Sequence, residues 1–323
     1  MRRIAVTLAL PLLTAGVIAG CGGSPSPAAT SSAVKVAGGF GQAPVVRIPP
    51  RKAGKALSVK TLVKGAGPAL GRTDAFVGNY AIYLWSGTSH KLLQSTFPGK
   101  NTPERPTLFA GTLLPGLETA LVGKGMGSRV LAVIPPKEGF GTKGNPQAGI
   151  KGTDTLVFVV DMLREFAPNA SASGKQVSTG GGSLPKVTAS PGSQPKITVP
   201  SAKPPASLVS KTLIQGTGPA VAPGDTVVVQ YVGVNWRTRQ PFDASWTRGQ
   251  PFGFTIGAFP SQVIPGWNKG LLGQKTGSRV LLVIPPADGY GKSGNVQAGI
   301  KGTDTLVFVV DILGAFNSST AAS

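Results

Sequence analysis

At 323 residues and 41% hydrophobic content, the chain is long enough for two ordinary domains with packed cores. Its 32 Lys and Arg against 12 Asp and Glu give a formal charge of +20, but many of the basic residues lie scattered in connectors (Arg47, Arg51, Lys52, Lys55, Lys175, Lys186, Lys196, Lys203). That pattern argues against nucleic-acid binding, which needs a clustered basic face, and fits attraction to an anionic envelope surface. A single cysteine, Cys21, excludes an intrachain disulfide, and a single histidine, His90, with no Cys/His cluster, excludes a structural zinc site; no metal or other cofactor is expected.

The chain opens with Met1-Arg2-Arg3 and an apolar run, too short for a membrane span of roughly 20 residues and laid out as a secretory signal over residues 1–20. The run ends in Ile18-Ala19-Gly20-Cys21, which resembles a bacterial lipobox. That resemblance implies lipidation of Cys21, cleavage before it, and an exported protein anchored at the extracytoplasmic face of the cell membrane. Residues 21–54, rich in Ser, Pro, Ala and Gly, read as a flexible tether.

A first domain is expected over residues 55–166. It ends in QAGIKGTDTLVFVVD (147–161), which recurs letter for letter at 297–311, and GSRVLAVIPP (127–136) is answered by GSRVLLVIPP (277–286) at the same offset. Two copies at a long fixed offset signal duplication of a whole domain. The glycines at 123, 125 and 127 precede a strand and do not open a helix, so they do not make a phosphate-binding loop. Residues 167–205, with GKQVSTGGGSLPK and SPGSQPK, read as a low-complexity linker, residues 206–316 as the second domain, and residues 317–323 as a disordered tail.

In the second copy, the spacing predicts β-prone runs at 210–214, 226–232, 251–256, 278–284 and 305–313, with a Pro-Gly-Asp turn at 223–225. The one convincing helix covers residues 265–272, where Trp267, Leu271 and Leu272 fall at helical spacing behind Pro265. One short helix with five or six strands implies an α+β architecture, an antiparallel sheet wrapped on that helix.

At this point the residues resemble the FKBP-type peptidyl-prolyl cis-trans isomerases. GDTVVVQYVG, FDASWTRGQPFGF, VIPGWNKGL, PPADGYG and TLVFVVDIL together match the family's blocks in order, over nearly all of residues 208–316. The resemblance implies two FKBP-like domains, each a twisted antiparallel sheet of five or six strands around one short helix, with an aromatic pocket between. It implies Trp267 as pocket floor; Tyr231, Phe242, Phe252, Val263, Ile264 and Phe308 as walls; and Ile300 at the rim. The Ile264 N–H and the Tyr290 hydroxyl would hold substrate carbonyls, with Asp243 beside Tyr231 and Arg248.

The first copy departs at these positions. Leu93-Gln94 answers Phe242-Asp243, Leu117 answers Trp267, Phe140 answers Tyr290, and the Phe252 segment is rewritten around Pro106-Thr107-Leu108-Phe109; only Tyr80, Leu114, Ile150 and Phe158 keep the pocket's character. The expectation is a degenerate first domain and catalysis in the second. The resulting protein would accelerate Xaa-Pro isomerisation in proline-containing exported polypeptides, with possible macrolide inhibitor binding. The alternative is a non-catalytic polypeptide-binding chaperone or assembly factor of the envelope.

Overall fold

A computed structural model describes residues 33–97 and 105–317. The signal at 1–20, Cys21, the start of the tether and tail residues 318–323 lie outside them. Among the described residues, no helix is long and apolar enough to cross a membrane.

In chain order, β1 (Lys35–Ala37) and β2 (Val45–Arg47) form a hairpin, followed by β3 (Ser58–Val63), β4 (Ala75–Ser86), β5 (Ser89–Ser95) and β6 (Thr107–Phe109). Then come α1 (Pro115–Leu121), β7 (Arg129–Ile134) and β8 (Thr155–Phe166). The connector holds β9 (Lys175–Gln176) and a second hairpin, β10 (Lys186–Thr188) with β11 (Lys196–Thr198). The second domain runs through β12 (Val209–Gln215), β13 (Thr226–Asn235), β14 (Pro241–Ala244), β15 (Phe252–Thr255), α2 (Pro265–Leu271), β16 (Arg279–Ile284) and β17 (Leu306–Phe316).

The first sheet is ordered β3-β7-β8-β4-β5, with β6 beside β4; the second is β9-β12-β16-β17-β13-β14, with β15 beside β13, and every pairing is antiparallel. Each domain therefore has one short helix against one antiparallel sheet. Both helices start with proline in the first turn, where a missing N–H costs nothing. Leu117, Ala120 and Leu121 of α1, and Trp267 and Leu271 of α2, enter the inner cores.

The connectors differ from the expected flexible spacers. Along β17, Leu306, Phe308 and Val310 face α2, while Val307 and Val309 face the other way and are equally buried. That outer face is covered by the β10–β11 hairpin, through Val187, Ile197 and Val199, and β9 extends the sheet at the β12 edge. The β1–β2 hairpin does the same for the first sheet, with Val36, Val46 and Ile48 packed near Trp85, Leu131, Val157 and Val159. Apolar residues at every second position of an otherwise Gly/Pro/Ser-rich stretch suffice to bury one face. Asn317, the first residue of the expected tail, donates to Asp225 at 3.1 Å.

Both straps are tied down alike. The Trp85 indole donates to the Arg51 carbonyl at 2.7 Å, and the Trp236 indole to the Ala202 carbonyl at 3.2 Å. Beneath them lie two buried ion pairs, Arg129–Asp161 and Arg279–Asp311, each with a 2.6 Å contact. Asp161 also accepts from the Gly41 amide at 2.7 Å and Asp311 from the Ala172 amide at 3.0 Å.

Asp311→Ala leaves the Arg279 guanidinium buried and unpaired, and should cost about 3–5 kcal/mol in denaturant unfolding. Amide exchange at Ala172 and Gly174 should accelerate first. Joint replacement, Arg279→Met with Asp311→Leu, should cost far less; equal losses in the two variants would contradict the ion-pair account.

Candidate functional site

The second domain gathers its aromatic side chains between α2 and the inner face of the sheet. Trp267 is 4% exposed and lies edge-on to Tyr231 at 5.1 Å, Phe308 at 5.2 Å and Phe254 at 5.6 Å between ring centroids. Phe252 stands 5.9 Å from Tyr231 and 6.3 Å from Trp267, and Phe242 stands edge-on to Phe308 at 5.4 Å. Edge-to-face contacts of this kind hold rings at fixed angles and stiffen the walls. Val263, Ile264 and the buried Ile300 pack on the same cluster. The Trp267 indole N–H is buried without a partner among the described residues.

At one side of this cluster sits a polar group of three. The Tyr231 hydroxyl donates to Asp243, Arg248 forms an ion pair with Asp243, and Arg248 Nη2 donates to the Tyr231 oxygen at 2.7 Å. The Arg248 guanidinium also lies 5.5 Å from the Tyr231 ring centroid. Burial first, and then Asp243, push the Tyr231 hydroxyl well above the usual phenol range, with Arg248 opposing. Burial works against the Arg248 charge, but its bonds to Asp243 and Tyr231 outweigh that and raise it. Tyr231 therefore remains a protonated donor, and Arg248 a cation, at neutral pH. This group can orient and polarise a ligand without exchanging protons with it.

Ile264 caps α2, accepts from the Trp267 amide at 3.0 Å and is half-buried at the pocket mouth. Tyr290 precedes a 3-10 turn and is 37% exposed. The structure thus brings ten of the eleven sequence-derived pocket residues to one core or its polar edge, and Tyr290 is the more exposed eleventh. Cys21 is outside the described residues. No group of three or more His, Cys, Asp or Glu that could hold a metal occurs among the described residues.

Two participants were not singled out in the sequence. Phe254 closes the floor behind Trp267. Gly233 pairs with Phe308 across the sheet, and a Cβ there would sit 2.7 Å from the Phe308 ring and 2.8 Å from the Phe242 ring. Its bareness makes room for both walls. The equivalent first-domain residue, Ile82, pairs with Phe158 in the same register and with Gln94 where Gly233 pairs with Asp243. A Gly/Ile difference in the sequence was the available signal.

In the first domain the backbone frame persists with other side chains around it. The Tyr80 amide donates to Thr96 Oγ1 at 2.9 Å, as Tyr231 does to Ser245 Oγ at 2.8 Å. Around it, Ile82, Leu93, Leu114, Leu117 and Phe140 pack on one aliphatic-rich core. Phe109 stacks on Phe76 at 4.6 Å and meets Tyr80 at 5.4 Å.

A family model described as FKBP-type peptidyl-prolyl cis-trans isomerase matches residues 73–163 and 218–313. An FK506-binding protein of Streptomyces anulatus is 45% identical over 114 residues, 35% of this chain and 90% of that relative. The FKBP-type peptidyl-prolyl cis-trans isomerase FkpA of Escherichia coli K12 is 43% identical over 106 residues, 33% of this chain and 37% of FkpA's length. A crystal structure of the three FKBP domains of wheat FKBP73 aligns over 80% of this chain and 94% of that one, at 21% identity and a TM-score of 0.31.

Gly233→Ala should crowd Phe242 and Phe308 apart, costing about 1–3 kcal/mol of stability and weakening ligand binding in the second-domain pocket. Thermal unfolding and a binding isotherm with a proline-containing peptide check this. Unchanged affinity would mean that the walls tolerate the methyl group.

Proposed function

Because the chain belongs to the FKBP-type peptidyl-prolyl cis-trans isomerase family, with two such domains, we propose that catalysis resides in its second domain. The observation that carries this is the Tyr231–Asp243–Arg248 group at the edge of the Trp267 pocket, where the first domain has Gln94 and Leu117. The substrate bond resists rotation by about 18–20 kcal/mol because of its partial double-bond character. Twisting it destroys the polar resonance form. A dry aromatic cavity that solvates the planar, charge-separated amide less well than water does lowers that barrier without nucleophile or proton transfer. Trp267 would support the proline ring, the Ile264 N–H and Tyr290 hydroxyl would hold flanking carbonyls, and Asp243, fixed by Tyr231 and Arg248, would face the amide carbonyl as it turns out of conjugation.

The export signal and Cys21 extend the proposal to a lipid-anchored, extracytoplasmic enzyme that speeds folding of secreted or envelope proteins, where uncatalysed Xaa-Pro exchange takes tens to hundreds of seconds. The FK506-binding relative extends it to macrolides in the same pocket. A holding role, in which the chain grips unfolded polypeptides, draws support from Phe259, fully exposed a few residues before Val263 and Ile264.

In a coupled prolyl-isomerisation assay on the whole chain, Asp243→Asn and Trp267→Leu should each lower kcat/KM by about tenfold or more, while Gln94→Ala leaves it unchanged. Activity that survives both second-domain variants would move catalysis elsewhere. For the anchor, Cys21→Ser should shift the protein from the membrane fraction to the soluble fraction; full membrane retention would remove lipidation from the proposal.

A further inference from the structure

The two domains pack on each other through equivalent positions. Val77 of β4 and Val228 of β13, Leu163 of β8 and Leu313 of β17, and Phe166 and Phe316 at the ends of β8 and β17 share one apolar cluster. Phe166 and Phe316 meet edge-on at 6.1 Å. The arrangement is that of an isologous dimer built within one chain.

One part of the contact breaks this symmetry. Strand β6, from the rewritten first-domain segment, lies against β15 of the second domain. Its Phe109 points into the first core, and its Leu108 points out, over Gly253. A Cβ on Gly253 would stand 2.8 Å from Leu108 Cβ and 2.9 Å from its Cδ2. The strand is pinned at its start, where the Thr226 hydroxyl donates to the Pro106 carbonyl at 2.7 Å. Gly253 is flanked by Phe252 and Phe254, which alternation sends to the opposite face, against Tyr231 and Trp267. Further along, the Gly111–Leu113 turn and Glu118 face Arg248 and Gln250 across a cleft of about 400 Å³. The first domain therefore backs β15 directly, while a cleft separates it from the Arg248 segment.

We propose that the first domain is a positioning element for the second-domain pocket, acting through Leu108 seated on Gly253. Close-packed contacts transmit displacement because neighbouring side chains have no slack. With Leu108 in place, β15 cannot move back from the pocket, and the Phe252 and Phe254 rings stay against Tyr231 and Trp267. Leu108 touches no substrate; it fixes a wall that does. The inference rests on second-domain catalysis, and it gives the degenerate domain a task that needs none of the lost chemistry.

The test uses the full chain with Leu108→Ala, Gly253→Ala, Leu108→Met, and the double variant Leu108→Ala/Gly253→Ala. Leu108→Ala and Gly253→Ala should each raise KM about three- to tenfold, with kcat changed less than about twofold, because a binding wall has shifted while Asp243 has not. Leu108→Met should retain wild-type KM. The double variant should recover little of the Gly253→Ala loss, since the Leu108 Cβ, which alanine keeps, lies 2.8 Å from the added methyl group. In ¹H–¹⁵N spectra the Trp267 indole resonance should move in Leu108→Ala and in Gly253→Ala. An unmoved resonance and an unchanged KM, even with lowered thermal stability, would reduce Leu108 to ordinary packing and overturn the proposal. A wild-type chain without isomerase activity would count against second-domain catalysis instead, and the Trp267 resonance would still decide whether Leu108 sets the pocket.

Discussion

Each sheet in this chain is apolar on both faces, and a sheet so built has to be covered twice. The six residues of β16 are all buried, as are ten of the eleven in β17. The helix covers only the inner face. Were the outer face left to water, Leu281, Val283, Val307 and Val309 would lose their burial, each Val or Leu side chain being worth roughly 1.5–3 kcal/mol. The hairpin straps and the domain interface are the solutions found here. The straps cover most of each outer face, and the remaining edge of each covers the other domain's.

That constraint also explains what could be read in advance. Five strands and the helix of the second domain were legible because β-branched runs and a proline-led helix are local signals, whereas the four-residue β14 was not read. Most of the pocket was legible through the order of its blocks, Tyr231 through Phe308. The straps were not, because composition dominated the reading: Lys186-Val187-Thr188 and Lys196-Ile197-Thr198 are three-residue strands lost among Gly, Pro and Ser. A signal was nonetheless present. VLLVI and LVFVV do not alternate polar with apolar, as a sheet with one wet face would. Consecutive burial demanded a second covering layer, and the connectors supply most of it. The domain contact was illegible for a different reason: Leu108 over Gly253 joins residues far apart in sequence, and neither has a distinctive neighbourhood.

Duplication set the geometry in which the two copies could then diverge. The hairpin strap, the indole-to-carbonyl tie and the buried Arg–Asp pair occur in both, so the repeated unit includes its own outer cover. An interface through equivalent residues is self-complementary, and it survives as long as both copies keep Val77 and Val228, Phe166 and Phe316. The differences at the pocket positions lie instead on the inner face and in β6.

Change on the inner face obeys the same packing rule. An open aromatic pocket leaves wall atoms without partners, which a core does not tolerate without loss of stability. Replacing Phe242 by Leu93 and Trp267 by Leu117 in a first-domain frame would by itself enlarge that gap, with a cost that grows with cavity volume. Ile82 in place of Gly233 adds side-chain volume beside Phe158 and Leu93, where the opening would have been. The three differences are therefore coupled in volume: small-to-large at one position offsets large-to-small at two others. Gly233 is the mark of the copy that still carries that cost, since no other residue leaves space for Phe242 and Phe308 to stand as walls.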